Sequence, residues 1–192
     1  MSDIPPHEVR FQKHAVNLTR IVGDIANDIN SKLTKETGRK MVIVDDNVVN
    51  FVAGFIDRME PEKLLVNFIE KSYKYWDNIL KKEESFFDKN ALEVFGDLPE
   101  SEIKKFQSLF NIRDSTGNRY MCNEDQDSIW SHFEAFIKTA IKFIHDKRGP
   151  CVEFNRETNE KIAKYKNVYM KHIEIKPYAI RLGMKLGFEC RV

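Results

Sequence analysis

The chain has 192 residues, of which 42% are hydrophobic and 11% aromatic, enough for one domain with a real core, or one domain with an attached arm, but not for a second full domain. Charged residues make up 32%, yet the formal net charge is only +1, so bulk charge identifies neither a nucleic-acid sponge nor an acidic tail protein. The three cysteines, Cys122, Cys151 and Cys190, are odd in number and unpaired in spacing, which argues for reduced thiols in the cytoplasm or nucleus and against a disulfide scaffold.

The start, MSDIPPHEVRF, lacks the basic and apolar regions of a secretory signal, and no stretch approaches the roughly 18 apolar residues of a membrane span. Without export, the sequon Asn17-Leu18-Thr19 is a chance match. Ser2 and the last four residues fit no lipid anchor. The expectation is an intracellular protein with no membrane span.

From Val9 onward, Leu18, Val22, Ile25, Ile29 and Leu33 recur at helical steps, with Pro5 and Pro6 before them and Gly38 after. Met41–Val44 has strand character but no evident strand partner. Val48, Val52, Phe55 and Met59 predict a second helix, with Asp45, Asp46 and Asn47 as capping candidates. Pro61 suits a helix first turn, and Leu64, Leu65, Phe68, Ile69, Trp76 and Leu80 read as one continuous helix behind it. Shorter helices are expected from Phe86 to Phe95, ending at Gly96, and from Pro99 through LPESEIKKFQSLF.

The polar stretch Asn111–Asp127 reads as a surface loop. After it, Ile129, Phe133, Phe136, Ile137, Ala140, Ile141 and Ile144 predict a helix stopped at Gly149-Pro150. Past a soft boundary near residue 150, Ile162, Tyr165, Val168 and Tyr169 keep a helical rhythm that Pro177, Gly183 and Gly187 then interrupt. The fold expected is all-α: a compact orthogonal or bundle-like array of about six or seven helices in residues 1–150, with a basic C-terminal helical arm, residues 151–192, packing on the body or on a neighbouring subunit.

Candidate chemistry is sparse. Asn123, Asp125, Asp127 and Glu134 imitate the oxygen spacing of a calcium loop, but Ser128 stands where the turn glycine belongs and Ile129 already starts a helical rhythm. An acidic helix N-terminus is the better reading. Cys122, His132, His145 and Cys151 are zinc-type ligands spaced ten, thirteen and six residues apart, matching no compact site, and the two histidines lie roughly 20 Å apart along one helix. His145 beside Asp146 is no catalytic pair, because helix neighbours point about 100° apart. No GxSxG, HExxH or phosphate loop is present, so neither an enzyme activity nor a cofactor is expected. Tyr73, Tyr75 and Trp76, interleaved with Lys71 and Lys74, suggest either a base-stacking platform or a core stripe edged by lysines, and the core stripe fits better.

Charge layout carries more. Glu83, Glu84, Asp88, Glu93, Asp97, Glu100 and Glu102 face only Lys89 in their segment, whereas Lys161, Lys164, Lys166, Lys171, Lys176, Arg181, Lys185 and Arg191 face only Glu174 and Glu189 in theirs. That basic set is the candidate partner-binding segment, for an acidic protein surface or for nucleic acid. The same stretch carries Ile173, Ile175, Tyr178, Ile180, Leu182, Met184, Leu186 and Phe188, too many apolar groups for a solvated tail.

The segments EPEKLLVNFIEKSYKYWDNILKKEESFFDKNALEVFGDLPESEIKKFQSLF and DQDSIWSHFEAFIKTAIKFIHDKR, about residues 60–148, resemble uncharacterised helical proteins of large nucleocytoplasmic double-stranded DNA viruses in their short aromatic-rich and lysine-rich helices. The resemblance implies a virion or minor capsid component, or an early accessory protein, and supplies no catalytic residues. The expected function is therefore a non-enzymatic structural or scaffold protein acting through protein–protein contacts, by self-association or with capsid proteins. A nucleic-acid-binding accessory protein is the alternative, and an enzyme with an unrecognised site the second alternative. A scaffold calls for apolar contact area, a nucleic-acid binder for an exposed basic stripe, and an enzyme for a deep pocket with convergent polar groups.

Overall fold

In the computed structural model residues 5–148 are described, apart from the side chains of residue 88 and residues 144–148. They form seven α-helices and no named strand: α1 (His7–Thr37), α2 (Asp46–Arg58), α3 (Pro61–Ser72), α4 (Trp76–Leu80), α5 (Ser85–Val94), α6 (Glu100–Asn111) and α7 (Asn123–Arg148). The all-α expectation holds for these residues. The arm, residues 151–192, lies outside them. Among the described residues no helix is long and apolar enough to cross a membrane.

α1 is 31 residues long and acts as the spine, packing against α2, α3 and α7. It stops at Gly38, whose φ of 66° is the left-handed cap conformation that glycine adopts without strain, with its N–H bonded to the Thr34 carbonyl. At the other end of its inner face Phe11 packs against Phe68 and Phe136, at ring centroid distances of 5.1 and 4.8 Å, and those two rings meet each other at 5.7 Å. α2 lies so close to α1 that a methyl on Gly23 would come within 2.8 Å of Val49 Cγ1. Gln12 of α1 ties the end of α2 by donating to the carbonyls of Ile56 and Met59 at 2.9 and 2.7 Å. The start of α2 is fixed by Asp45, whose carboxylate accepts from the Val48 N–H at 2.9 Å.

Residues 41–44 do not form a strand. Side chains of α1 satisfy their backbone instead: Asn30 donates to the Val44 carbonyl at 2.9 Å and accepts from the Ile43 N–H at 2.8 Å, while Thr34 Oγ1 accepts from the Met41 N–H at 3.0 Å. This seats Val44 in the core and leaves Val42 exposed. Removing both bonds with Asn30→Ala strands buried backbone groups, so a loss of about 1–2 kcal/mol is expected in chemical denaturation. Faster amide exchange at Ile43 should accompany it.

The helix expected from Pro61 to Leu80 is broken. A 3-10 turn, Tyr73–Tyr75, separates α3 from α4. Its effect is to redirect one apolar stripe between two partners, since α3 packs on α1 and α4 packs on α7. Trp76, fully buried, donates from Nε1 to Ser72 Oγ at 2.9 Å across this turn, and the buried hydroxyl and the indole thereby satisfy each other.

The expected loop is shorter than its polarity suggests, because α7 begins at Asn123. Residues 112–122 form a hairpin-like turn in which Asp114 accepts from the N–H groups of Thr116 and Asn118, both at 2.9 Å, and Gly117 takes a φ of 88°. Arg119 clamps the turn to α5's entry through paired bonds to Glu84 at 2.8 and 2.6 Å.

Candidate interaction groove

A partly open cavity of about 180 Å³ lies between the α1–α2 pair and the α5–α6 pair. Phe11, Ala15 and Leu18 of α1 line its floor, and Phe55, at the outer end of α2, lies at one wall. Ile103, Phe106 and Phe110 of α6 form the facing wall, with Ala91 and Phe95 supplied by α5 and its cap. The helical spacing of each set explains the placement: residues three and four apart share a face, and each helix turns that face inward.

Four polar side chains reach this lining, and each is already bonded within the protein. Thr19 Oγ1 donates to the Ala15 carbonyl at 3.0 Å, Gln107 Nε2 donates to the Phe87 carbonyl at 2.6 Å, and Asn67 donates to Asp97, whose carboxylate also pairs with Lys71 at 2.7 Å. The wall is therefore apolar in practice. Outside it, Phe55 stacks with Phe51 at 6.5 Å, and Phe51 is 49% exposed, so the apolar surface continues from the groove onto open solvent.

The candidates read from the sequence fall elsewhere. Trp76 is core, Tyr75 donates its hydroxyl to Glu93, and Lys74 pairs with the same carboxylate while lying over the Tyr75 ring. The Lys74 hydrogen bond, then that of Tyr75, holds the Glu93 carboxyl below its usual range. The set is an exposed ion-pair knot on a core stripe rather than a row of free aromatic faces.

The acidic segment is largely neutralised from within the body. Glu84 pairs with Arg119, Glu93 with Lys74, Asp97 with Lys71, Glu100 with Lys104 at 2.5 Å, and Glu102 with Lys105 at 3.1 Å. The count along the chain shows a surplus that three-dimensional pairing removes. The Arg119 hydrogen bond holds the Glu84 carboxyl below the ordinary glutamate value. Its share of stability is present above the unfolded pKa and is lost as pH falls through the lowered one; because the pair is exposed, that share is small. A carboxylate NMR titration should place Glu84 below an ordinary exposed glutamate, and Arg119→Gln should return it toward the ordinary value.

Asn123, Asp125, Asp127 and Glu134 lie on α7, as the acidic-N-terminus reading requires, with Asp127 paired to Lys82 at 2.5 Å and Glu134 to Lys138 at 3.2 Å. Cys122 is exposed and its sulfur accepts the Asp125 N–H at 3.4 Å. The Asp125 carboxylate beside it holds the thiol pKa up. His132 Nδ1 lies 2.9 Å from the Ser128 carbonyl oxygen on its own helix. Among the described residues no cluster of three or more such side chains could hold a metal ion. The His145 side chain, Cys151 and the basic set Lys161, Lys164, Lys166, Lys171, Lys176, Arg181, Lys185 and Arg191 lie outside the described residues.

Comparison with protein-family models, curated proteins and solved structures finds no match for the chain.

The groove was not legible in the sequence as a site. Its residues are those of the amphipathic faces themselves, and periodicity tells which side of a helix is apolar without telling whether a neighbour fills the space opposite. Phe51 carried the one usable signal, being an aromatic one turn before Phe55 on the outer side of α2.

Proposed function

We propose that this chain is a non-enzymatic structural protein that assembles through protein–protein contacts, in the manner of a minor capsid or virion component of a large DNA virus, with the groove between α1–α2 and α5–α6 as its contact surface and a second copy of the chain as its partner. The observation that carries the reading is the groove: apolar walls, polar lining groups bonded inward, and an exposed aromatic at its edge. Such a surface fits inserted apolar side chains, whereas catalysis asks for polar groups converging on the space. The virion setting rests on the resemblance over residues 60–148 alone.

Sedimentation of the full chain over a rising concentration series tests this. Concentration-dependent self-association is expected, weakened at least tenfold by Phe51→Asp with Phe55→Asp, because buried aromatics at an interface contribute about 2 kcal/mol or more each. Wild-type protein that stays monomeric throughout, or self-association indifferent to the pair of substitutions, overturns the reading.

A further inference from the structure

We propose that two copies of this chain close into a reciprocal pair in which Phe51 of each fills the groove cavity of the other, so that assembly stops at two. The inference deepens the assembly reading given above and rests on it.

The cavity has the size of one aromatic side chain. At about 180 Å³ it is a little larger than an engineered apolar cavity of about 150 Å³ that takes up benzene, and the benzyl group of phenylalanine is one carbon larger than benzene. It falls short of the roughly 300 Å³ at which pockets for whole small ligands begin. The polar groups of its lining are committed within the protein: Thr19 and Gln107 donate to backbone carbonyls, and Asn67 and Lys71 hold Asp97. A hydrocarbon ring, which asks for no hydrogen bond, suits such a lining.

The same face presents such a ring. Phe51 is 49% exposed and stacks on Phe55 at 6.5 Å, and Phe55 is itself a wall of the cavity. Deep in the lining Phe11 and Phe133 are buried, whereas Phe55, Leu98 and Phe106 are partly exposed, which puts the mouth between α2 and the α5–α6 side, next to Phe51. Both rings are carried by α2, one turn apart, so the helix holds Phe51 outside the cavity of its own copy. On α5, Leu92, 41% exposed, precedes the lining residue Phe95 by three positions and neighbours it on the helix surface, so apolar contact area continues on that side as well.

Having knob and hole on one face decides the symmetry. Head-to-tail growth needs them on separate faces, so that a copy bound through one still offers the other to a third. Here the copy that enters the cavity also covers the neighbouring Phe51, and that ring is left one place to go, the cavity of the same copy. A two-fold rotation satisfies both insertions at once, which is the self-complementary contact of a closed dimer. The charged residue of the lining, Asp97, is already paired to Lys71 at 2.7 Å, so identical surfaces meet there without opposing like charges.

The test uses the full chain with p-azidophenylalanine in place of Phe51, mixed with ¹⁵N-labelled wild type and irradiated at the upper end of the concentration series. Covalent dimers joining residue 51 to residues 91–110 of the labelled chain are expected. With the probe on every chain the gel ladder should end at two copies, and sedimentation of the wild type should level at twice the 22.6 kDa of one chain. Phe51→Ser alone should weaken association at least tenfold while leaving the urea midpoint of the dilute monomer unchanged, because the ring is half exposed there. Adducts confined to residues 41–59 of the labelled chain or to the probe's own chain overturn the reciprocal pair, as does a ladder that runs to three or more copies; association that still fails in Phe51→Asp with Phe55→Asp then keeps the groove as the assembly surface. A wild-type chain that stays monomeric throughout sinks both.

Discussion

Trp76→Ala is expected to lose about 3–5 kcal/mol of folding stability, a large fraction of the about 5–15 kcal/mol that holds a domain together. The indole is fully buried where α4 meets α7, so its removal opens a cavity that a short, five-residue helix between two fixed turns cannot close by shifting alone. It also leaves the buried Ser72 hydroxyl without the Nε1–H that it accepts at 2.9 Å. Trp76→Phe separates these contributions, because it keeps most of the ring volume and forfeits the hydrogen bond; an intermediate loss is expected. Urea denaturation followed by circular dichroism gives all three midpoints. A Trp76→Ala protein within about 1 kcal/mol of wild type would mean that the joint between α3 and α4 is not part of the core.

Gly23→Val should cost about 3 kcal/mol for the opposite reason, overpacking. Even a single added carbon at Gly23 meets Val49 Cγ1 at 2.8 Å and Cγ2 at 2.9 Å, and valine adds two methyls beyond it. The better helix propensity of valine over glycine recovers less than about 1 kcal/mol. Val49→Ala in the same chain should restore much of the loss, since it vacates the space where the two side chains collide. The two substitutions are expected to couple by more than about 1 kcal/mol in a double-mutant cycle. Additive effects would show that α1 and α2 are held apart by something other than this contact.

How far the fold can be read from the sequence differs from one joint to the next. The ends of α1, α2 and α3 were legible because Gly38, Asp45 and Pro61 each act on a backbone group within a few residues of themselves. The break at Tyr73–Tyr75 was not, because Leu65, Phe68, Ile69 and Trp76 keep a helical rhythm throughout, and a rhythm records that a side is buried without recording that its partner changes from α1 to α7. Periodicity set the loop's end too late, at Asp127, because Asn123 to Asp127 has no apolar rhythm to show, whereas the acidity of the same residues, favourable at the positive end of the helix dipole, gave the helix N-terminus. Charge counting along the chain went furthest astray. Glu93 and Asp97 look like surplus until Lys74 and Lys71, 19 and 26 residues earlier, are brought beside them.

The position of Phe11 sets a clock for synthesis. Its ring packs in one cluster with Phe68 and with Phe136, a residue made roughly 125 positions later. At ribosomal rates of about 5–20 residues per second, the spine helix waits about 6–25 s between its own emergence and that of the helix that completes its cover. For that interval the nascent chain carries an amphipathic helix with an open apolar flank, and holding factors that recognise such a flank have their longest opportunity on this protein before α7 leaves the exit tunnel.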